Sequence, residues 1–151
     1  MSLATGFGSA EESPGLLLWQ VTNRWQAAQR AALRPYGLTH VQFVLLASLT
    51  YLQAEDEPVT QRRLADHAAT DPMMTSQVLR ALESRALVTR LPHPHDARAR
   101  ALSPTPEGRD LANRAVTAVE ACDTDFFSTL GVEVAPFTEA LRTLLLRRGP
   151  E

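Results

Sequence analysis

Met73, Ser76, Gln77, Arg80 and Ser84 recur at intervals of mostly three and four residues, a spacing that gathers side chains on one face of a helix. Thr75, Val78, Leu79, Leu82 and Ala86 fall on the opposite face of the same wheel, at about 100° per residue. The polar set has recognisable chemistry. A glutamine amide pairs with adenine, an arginine fork with guanine or a phosphate, and a serine hydroxyl with either base, while a methionine can touch a thymine methyl. Downstream come Arg90, Asp96, Arg98 and Arg100. Asp96 and Arg98 lie two apart, so the carboxylate is expected to hold the guanidinium in one pose. An arginine held so at a protruding tip can enter a minor groove and read its width. Arg90 and Arg100 are expected to reach flanking phosphates.

These are binding chemistries. The chain has no phosphate-cradling glycine loop, no H-E-x-x-H and no G-x-S-x-G, so an enzyme is not expected. Cys122 is the single cysteine, which excludes an internal disulfide and points to a reducing, cytoplasmic address. Asp123 beside it, with no basic neighbour, should keep its thiol unreactive. His93-Pro94-His95-Asp96 offers three possible metal ligands within one short segment. The prolines stiffen that segment and Asp96 already has a role, so neither metal nor cofactor is expected. A metal-responsive regulator is the minor reading of those histidines.

Net charge is −2 over 151 residues, which by itself does not favour a polyanionic partner. Its distribution is more telling. Residues 60–100 carry seven arginines against four acids, so the positive charge is concentrated there in an otherwise acidic chain. All fifteen basic residues are arginine, the side chain suited to bidentate phosphate and guanine contacts, although a GC-rich genome would give the same bias. No run approaches the roughly 18 apolar residues of a membrane span, and no basic stretch followed by an apolar one marks a secretory signal.

The elements that position these residues follow from caps and periodicity. Residues 1–12 are small and polar and are expected to be disordered. Ser13-Pro14 starts a helix to about Leu33. Pro35-Tyr36-Gly37 breaks the chain, and Thr39 with Gln42 forms a capping box, Leu38 and Phe43 sitting where a hydrophobic staple would be. That second helix, to about Leu52, is apolar nearly all round and should be central. Val59 reads as a very short strand. Thr60 caps a third helix. Asp71 caps a fourth, with Pro72 at its first position, running to about Ala86. Leu87–Leu91 and Arg98–Leu102 read as a hairpin. Thr105-Pro106-Glu107 starts a fifth helix ending near Gly131, and a sixth covers about Glu133 to Arg148. Helix, turn, helix and hairpin in this order make a winged helix-turn-helix, so the fold class is mainly α with a small β-hairpin wing.

Several of these features, taken in order, resemble the MarR family of bacterial transcription regulators. They are Gly37-Leu38-Thr39 with Gln42, Leu64-Ala65, Leu82-Glu83, Leu87-Val88, Asp96-Ala97-Arg98, Leu102, and Thr105 with Gly108. The resemblance implies a homodimeric repressor of double-stranded DNA with a pseudo-palindromic operator, relieved by a ligand or oxidant. It implies a dimerisation lobe from residues 13–34 and 105–148 and a DNA-binding lobe from 38–103. It also implies an effector pocket, for which Trp19, Trp25, His40 and Phe43 are candidate linings for a small aromatic or amphipathic ligand, the alternative being plain core residues. The chain departs from the family pattern at Ala97, where a second arginine is usual, and at Ala69-Thr70, where a glycine is common. Met73 and Met74 stand in for small polar residues. A winged-helix protein-interaction module without DNA binding is the other class of function these residues allow.

Overall fold

Ser13, Thr39, Thr60, Asp71 and Thr105 each accept a backbone N–H from three residues on, and each opens a helix: α1 (Pro14–Leu33), α2 (His40–Leu52), α3 (Gln61–Ala68), α4 (Pro72–Ser84) and α5 (Pro106–Phe127). Such caps satisfy donors that the helix itself cannot. Proline occupies the first turn of α1, α4 and α5, where its missing N–H costs nothing. The capping box of Thr39 and Gln42 is complete, with Leu38 and Phe43 both buried beside it. These features belong to a computed structural model that describes residues 2–55, 57–147 and 149.

Between α4 and α5 lies an antiparallel hairpin, β1 (Val88–Pro92) and β2 (Arg100–Pro104), in the register Val88↔Pro104 to Pro92↔Arg100. Val59 adds a single bridge to Leu102, whose N–H donates to the Val59 carbonyl at 2.7 Å. A 3-10 segment, Ser128–Glu133, leads into α6 (Val134–Leu145). Among the described residues no helix is long and apolar enough to cross a membrane.

α2 is the centre of the core. Its Leu45, Leu46 and Leu49 are fully buried and meet Leu33, Leu64, Leu79, Leu82 and Leu102 from surrounding elements. Burial of each contributes about 1.5–3 kcal/mol. Thr75 joins them although it is polar. Its hydroxyl donates to the Asp71 carbonyl at 2.7 Å and pairs with the Thr70 hydroxyl at 2.7 Å, so nothing is left unsatisfied.

Element ends differ from the sequence expectation for local reasons. α4 stops at Ser84, not Ala86. Leu87 donates to the Leu82 carbonyl and Ala86 to that of Glu83, a Schellman closure that puts Ala86 at φ 56°. Ala86 is therefore outside the helix and exposed. β2 starts at Arg100, because Arg98 and Ala99 donate to Asp96 in the turn. α5 ends at Phe127, four residues short of Gly131, which itself is left-handed at φ 54°. α6 ends at Leu145, and the expected terminus at Arg148 lies outside the described residues, as does Met1. Residues 10–12 form a short 3-10 turn within the exposed N-terminal stretch.

Thr105 and Gly108 show why the chain needs a T-x-x-G start for α5. Thr105 donates its N–H to the Leu87 carbonyl at 3.0 Å and its hydroxyl to that of Ala86 at 2.7 Å. This pulls Gly108 onto the backbone just before β1 so closely that a Cβ would lie 2.0 Å from the Leu87 oxygen. Arg85 likewise ties the end of α4 to the loop before α2, donating to the Gly37 carbonyl at 2.8 Å.

Candidate nucleic-acid interface

One face of α4 is free of the core. Met73 is 72% exposed, Gln77 and Arg80 are exposed, and Ser76 is half-buried. Arg80 donates to the Ser76 hydroxyl at 3.0 Å, one turn apart, so its guanidinium is held along the helix with donors to spare. Thr75, Leu79 and Leu82 are buried on the opposite face. The amphipathic division expected from the sequence therefore stands, with Ala86 excepted.

The hairpin carries Arg98 and Arg100, both exposed. Asp96 acts differently from expectation. Its carboxylate accepts the backbone N–H of Arg98 at 2.9 Å, and no ion pair joins the two side chains among the described residues. A short acid two residues before the donor makes a side-chain turn more readily than it reaches a long guanidinium. Asp96 thus fixes the backbone of the tip. Arg90 also differs. Its guanidinium pairs with Glu83 of α4 and donates to Gln61 of α3 at 3.2 Å. These partners hold it against the body of the lobe. Sequence periodicity treats strand residues by face alone, so it gives no sign of Glu83 and Gln61 as partners. Arg62, exposed on α3, lines a concavity of about 490 Å³ with Gln61, Asp66, Thr70 and Pro72 beside the start of α4.

His93 and His95 lie with ring centroids 6.2 Å apart, and His93 Nδ1 accepts the His95 backbone N–H at 3.1 Å. Among the described residues no group of three or more metal-ligating side chains is gathered.

The expected pocket residues divide. Trp25 and His40 stack edge to face with centroids 4.9 Å apart. Trp25 donates its indole N–H to Asp123 Oδ1 at 2.7 Å, and the Gln29 amide donates to the same oxygen at 2.6 Å. Asp123 on α5 thereby joins two residues of α1, next to His40 at the start of α2. Phe43 is buried in the core. Trp19 does not join them; it is 68% exposed, about 120° round α1 from Trp25. Gln29 is fully buried, and its amide oxygen has no hydrogen-bond partner among the described residues. In the sequence its one sign is a glutamine four residues from both Trp25 and Leu33, inside an apolar stripe; Asp123 carries no comparable sign. His40 is held below its ordinary pKa, chiefly by burial, with Asp123 opposing and Arg30 adding to the effect. Burial pushes the Cys122 thiol up, and Asp123 and Asp125 push the same way.

Further along the same face of α1, Leu18, Val21 and Trp25 line an apolar groove of about 190 Å³ with Phe127, Phe137 and Leu141. Among the described residues none of α6 is buried.

Exposed recognition helix, short turn and protruding hairpin define a winged helix-turn-helix protein. The MarR family model matches residues 38–99. The HTH-type transcriptional regulator YdcH of Bacillus subtilis is 41% identical over 139 residues, covering 92% of this chain and 94% of that one. The HTH-type transcriptional repressor Rv2887 of Mycobacterium tuberculosis is 32% identical over 145 residues, covering 95% and 99%. A crystal structure of Rv2887 in complex with salicylic acid superposes with a TM-score of 0.69 at 32% identity, over 90% of this chain and 99% of that one. CouR from Rhodococcus jostii, bound to p-coumaroyl-CoA, superposes with a TM-score of 0.81 at 27% identity, over 96% and 100%. The chain belongs to the MarR family of helix-turn-helix transcriptional regulators.

Proposed function

We propose that this chain is a cytoplasmic, homodimeric, sequence-specific DNA-binding repressor that a small molecule releases from its operator. The observation that carries the reading is the free face of α4, with Met73, Ser76, Gln77 and Arg80 outward beside a hairpin that ends in Arg98 and Arg100. Helix side chains read base edges in a major groove, and a hairpin arginine reads an adjacent minor groove. Two copies related by a twofold axis would set their α4 helices about 34 Å apart, in successive major grooves of a pseudo-palindrome. The naked apolar surface of α6 and the groove beside α1 supply the dimerisation lobe, residues 13–34 and 105–148. Residues 38–103 supply the DNA-binding lobe.

The effector reading rests on the junction of the lobes. Trp25 and His40 meet there beside Asp123, and relatives of this chain hold salicylic acid or p-coumaroyl-CoA. An aromatic ligand is the class that such walls suit.

Fluorescence anisotropy with duplex DNA from upstream of the gene, against a scrambled duplex, tests the reading. Arg98→Ala should weaken operator binding strongly while thermal unfolding is unchanged; undiminished affinity would remove the wing from the interface. Gln77→Ala should lose about 1–3 kcal/mol of discrimination at one base pair. Equal loss on every sequence would reassign Gln77 to the DNA backbone.

A further inference from the structure

The hairpin is anchored at very few points. Leu102 bonds to Val59 ahead of α3, and Arg90 bonds to Glu83 and Gln61. Beyond these two positions, toward the tip, every hydrogen bond of the hairpin among the described residues is internal to it: the strand ladder, His93 to Ala99, His95 to His93, and Arg98 and Ala99 to Asp96. Leu91, next after Arg90, is 56% exposed. Arg90 is therefore the last side chain to grip the body before the hairpin leaves it.

We propose that Arg90 is a positioning residue, a brace that sets the angle of the wing against the recognition helix so that Arg98 meets the DNA in register. The inference rests on the DNA-binding reading above. One guanidinium touches three elements: it stands on β1, pairs with the last turn of α4 and bonds to the first residue of α3. Arginine alone suits this work, because its planar fork offers donors in two directions at once. The pair is half-buried, with about a third of each side chain exposed, so it is shielded more than a surface pair. Leverage makes the angle matter. From Arg90 to the end of β1 at Pro92 the strand rises about 7 Å at roughly 3.3 Å per residue, and the turn carries Arg98 a few residues further out. A tilt of about 10° at the base of an arm on the order of 10 Å would then move Arg98 by about 2 Å, enough to break a hydrogen bond.

The alternative role for Arg90, a direct grip on a DNA phosphate, makes opposite predictions. Operator binding of the full chain should be measured by anisotropy at several salt concentrations for Arg90→Gln, Glu83→Gln, Arg98→Ala and the Arg90→Gln/Arg98→Ala double variant. If Arg90 positions the wing, Arg90→Gln and Glu83→Gln should both weaken operator binding, by about tenfold if the wing's reading of one base pair is lost. The slope of log affinity against log salt should stay as in the wild type. The double variant should be no worse than Arg98→Ala, because the brace acts through Arg98. Arg90→Lys, which keeps the charge pair but not the fork, should restore part of the loss. If Arg90 instead neutralises a phosphate, the slope should flatten by about one for each phosphate no longer held. The losses should then multiply, and Glu83→Gln, which frees the guanidinium, should leave binding unchanged or tighter. Any of these overturns the brace. Glu83→Gln retains Arg90 and keeps the test open should Arg90→Gln fail to fold. A wild type that does not distinguish operator from scrambled duplex would remove the DNA-binding reading and the brace with it.

Discussion

His40 is the side chain with the clearest consequence for solution behaviour. Burial holds its pKa below the ordinary value, against the pull of Asp123 and with the help of Arg30. The unfolded chain therefore takes up the proton first. Such a group contributes stability that is complete above about pH 6.5 and is lost as the pH falls toward the folded-state pKa. Thermal unfolding followed from about pH 7.5 down to about 5.5 should show a falling Tm, and His40→Gln should make the fall shallower. An identical slope in the variant would mean that other groups dominate. The same neighbourhood keeps Cys122 quiet, since burial and two aspartates all disfavour its thiolate, and a thiolate is what oxidants attack.

At the scale of elements, the joints around α4 control the lobe. Gly108 has no space for a methyl group, and the obstacle is backbone, the Leu87 carbonyl. Gly108→Ala should push α5 away from the Leu87 backbone and cost more than about 2 kcal/mol in denaturant melts. Ala69 and Ala86 are strained in the opposite sense, both left-handed at helix ends, at φ 53° and 56°. An L-residue pays about 1 kcal/mol or more for that conformation. Ala86→Gly should therefore raise stability by about 0.5–1 kcal/mol, less the extra entropy glycine gives the unfolded chain. A loss instead would show that the alanine methyl packs with a gain greater than the strain. Caps and periods made the helices legible: Thr39 and Gln42, Asp71 and Pro72, and the two faces of α4 all follow from local chemistry. The partners of Arg90 and Asp96 did not, because Gln61 and Glu83 come from other elements and the turn at Asp96 depends on backbone geometry. Gln29 and Asp123 escaped for the same reason, being 94 positions apart.

For the whole molecule, the decisive feature is an amphipathic helix, α6, none of which is buried among the described residues. Leu144 is 62% exposed and Leu145 75%, beside the groove that Leu18 and Val21 share with Leu141. Apolar surface of this kind is characteristic of an interface, and a stable dimer covers about 800 Å² on each partner. Leu141→Glu/Leu144→Glu should shift the sedimentation coefficient to that of a monomer. Operator binding should fall with it, because half-sites are held together only through the dimer. A variant of unchanged mass would move the dimer interface away from α6.

The indole of Trp25 has a use outside recognition. It touches an imidazole on α2 and a carboxylate on α5 while belonging to α1, so three helices meet at one chromophore. Any rearrangement that slides α2 against α5 must change the polarity and quenching around that ring, whereas Trp19, open to solvent, contributes a steady background. The protein carries its own optical gauge of how α1, α2 and α5 sit against one another, readable without a label.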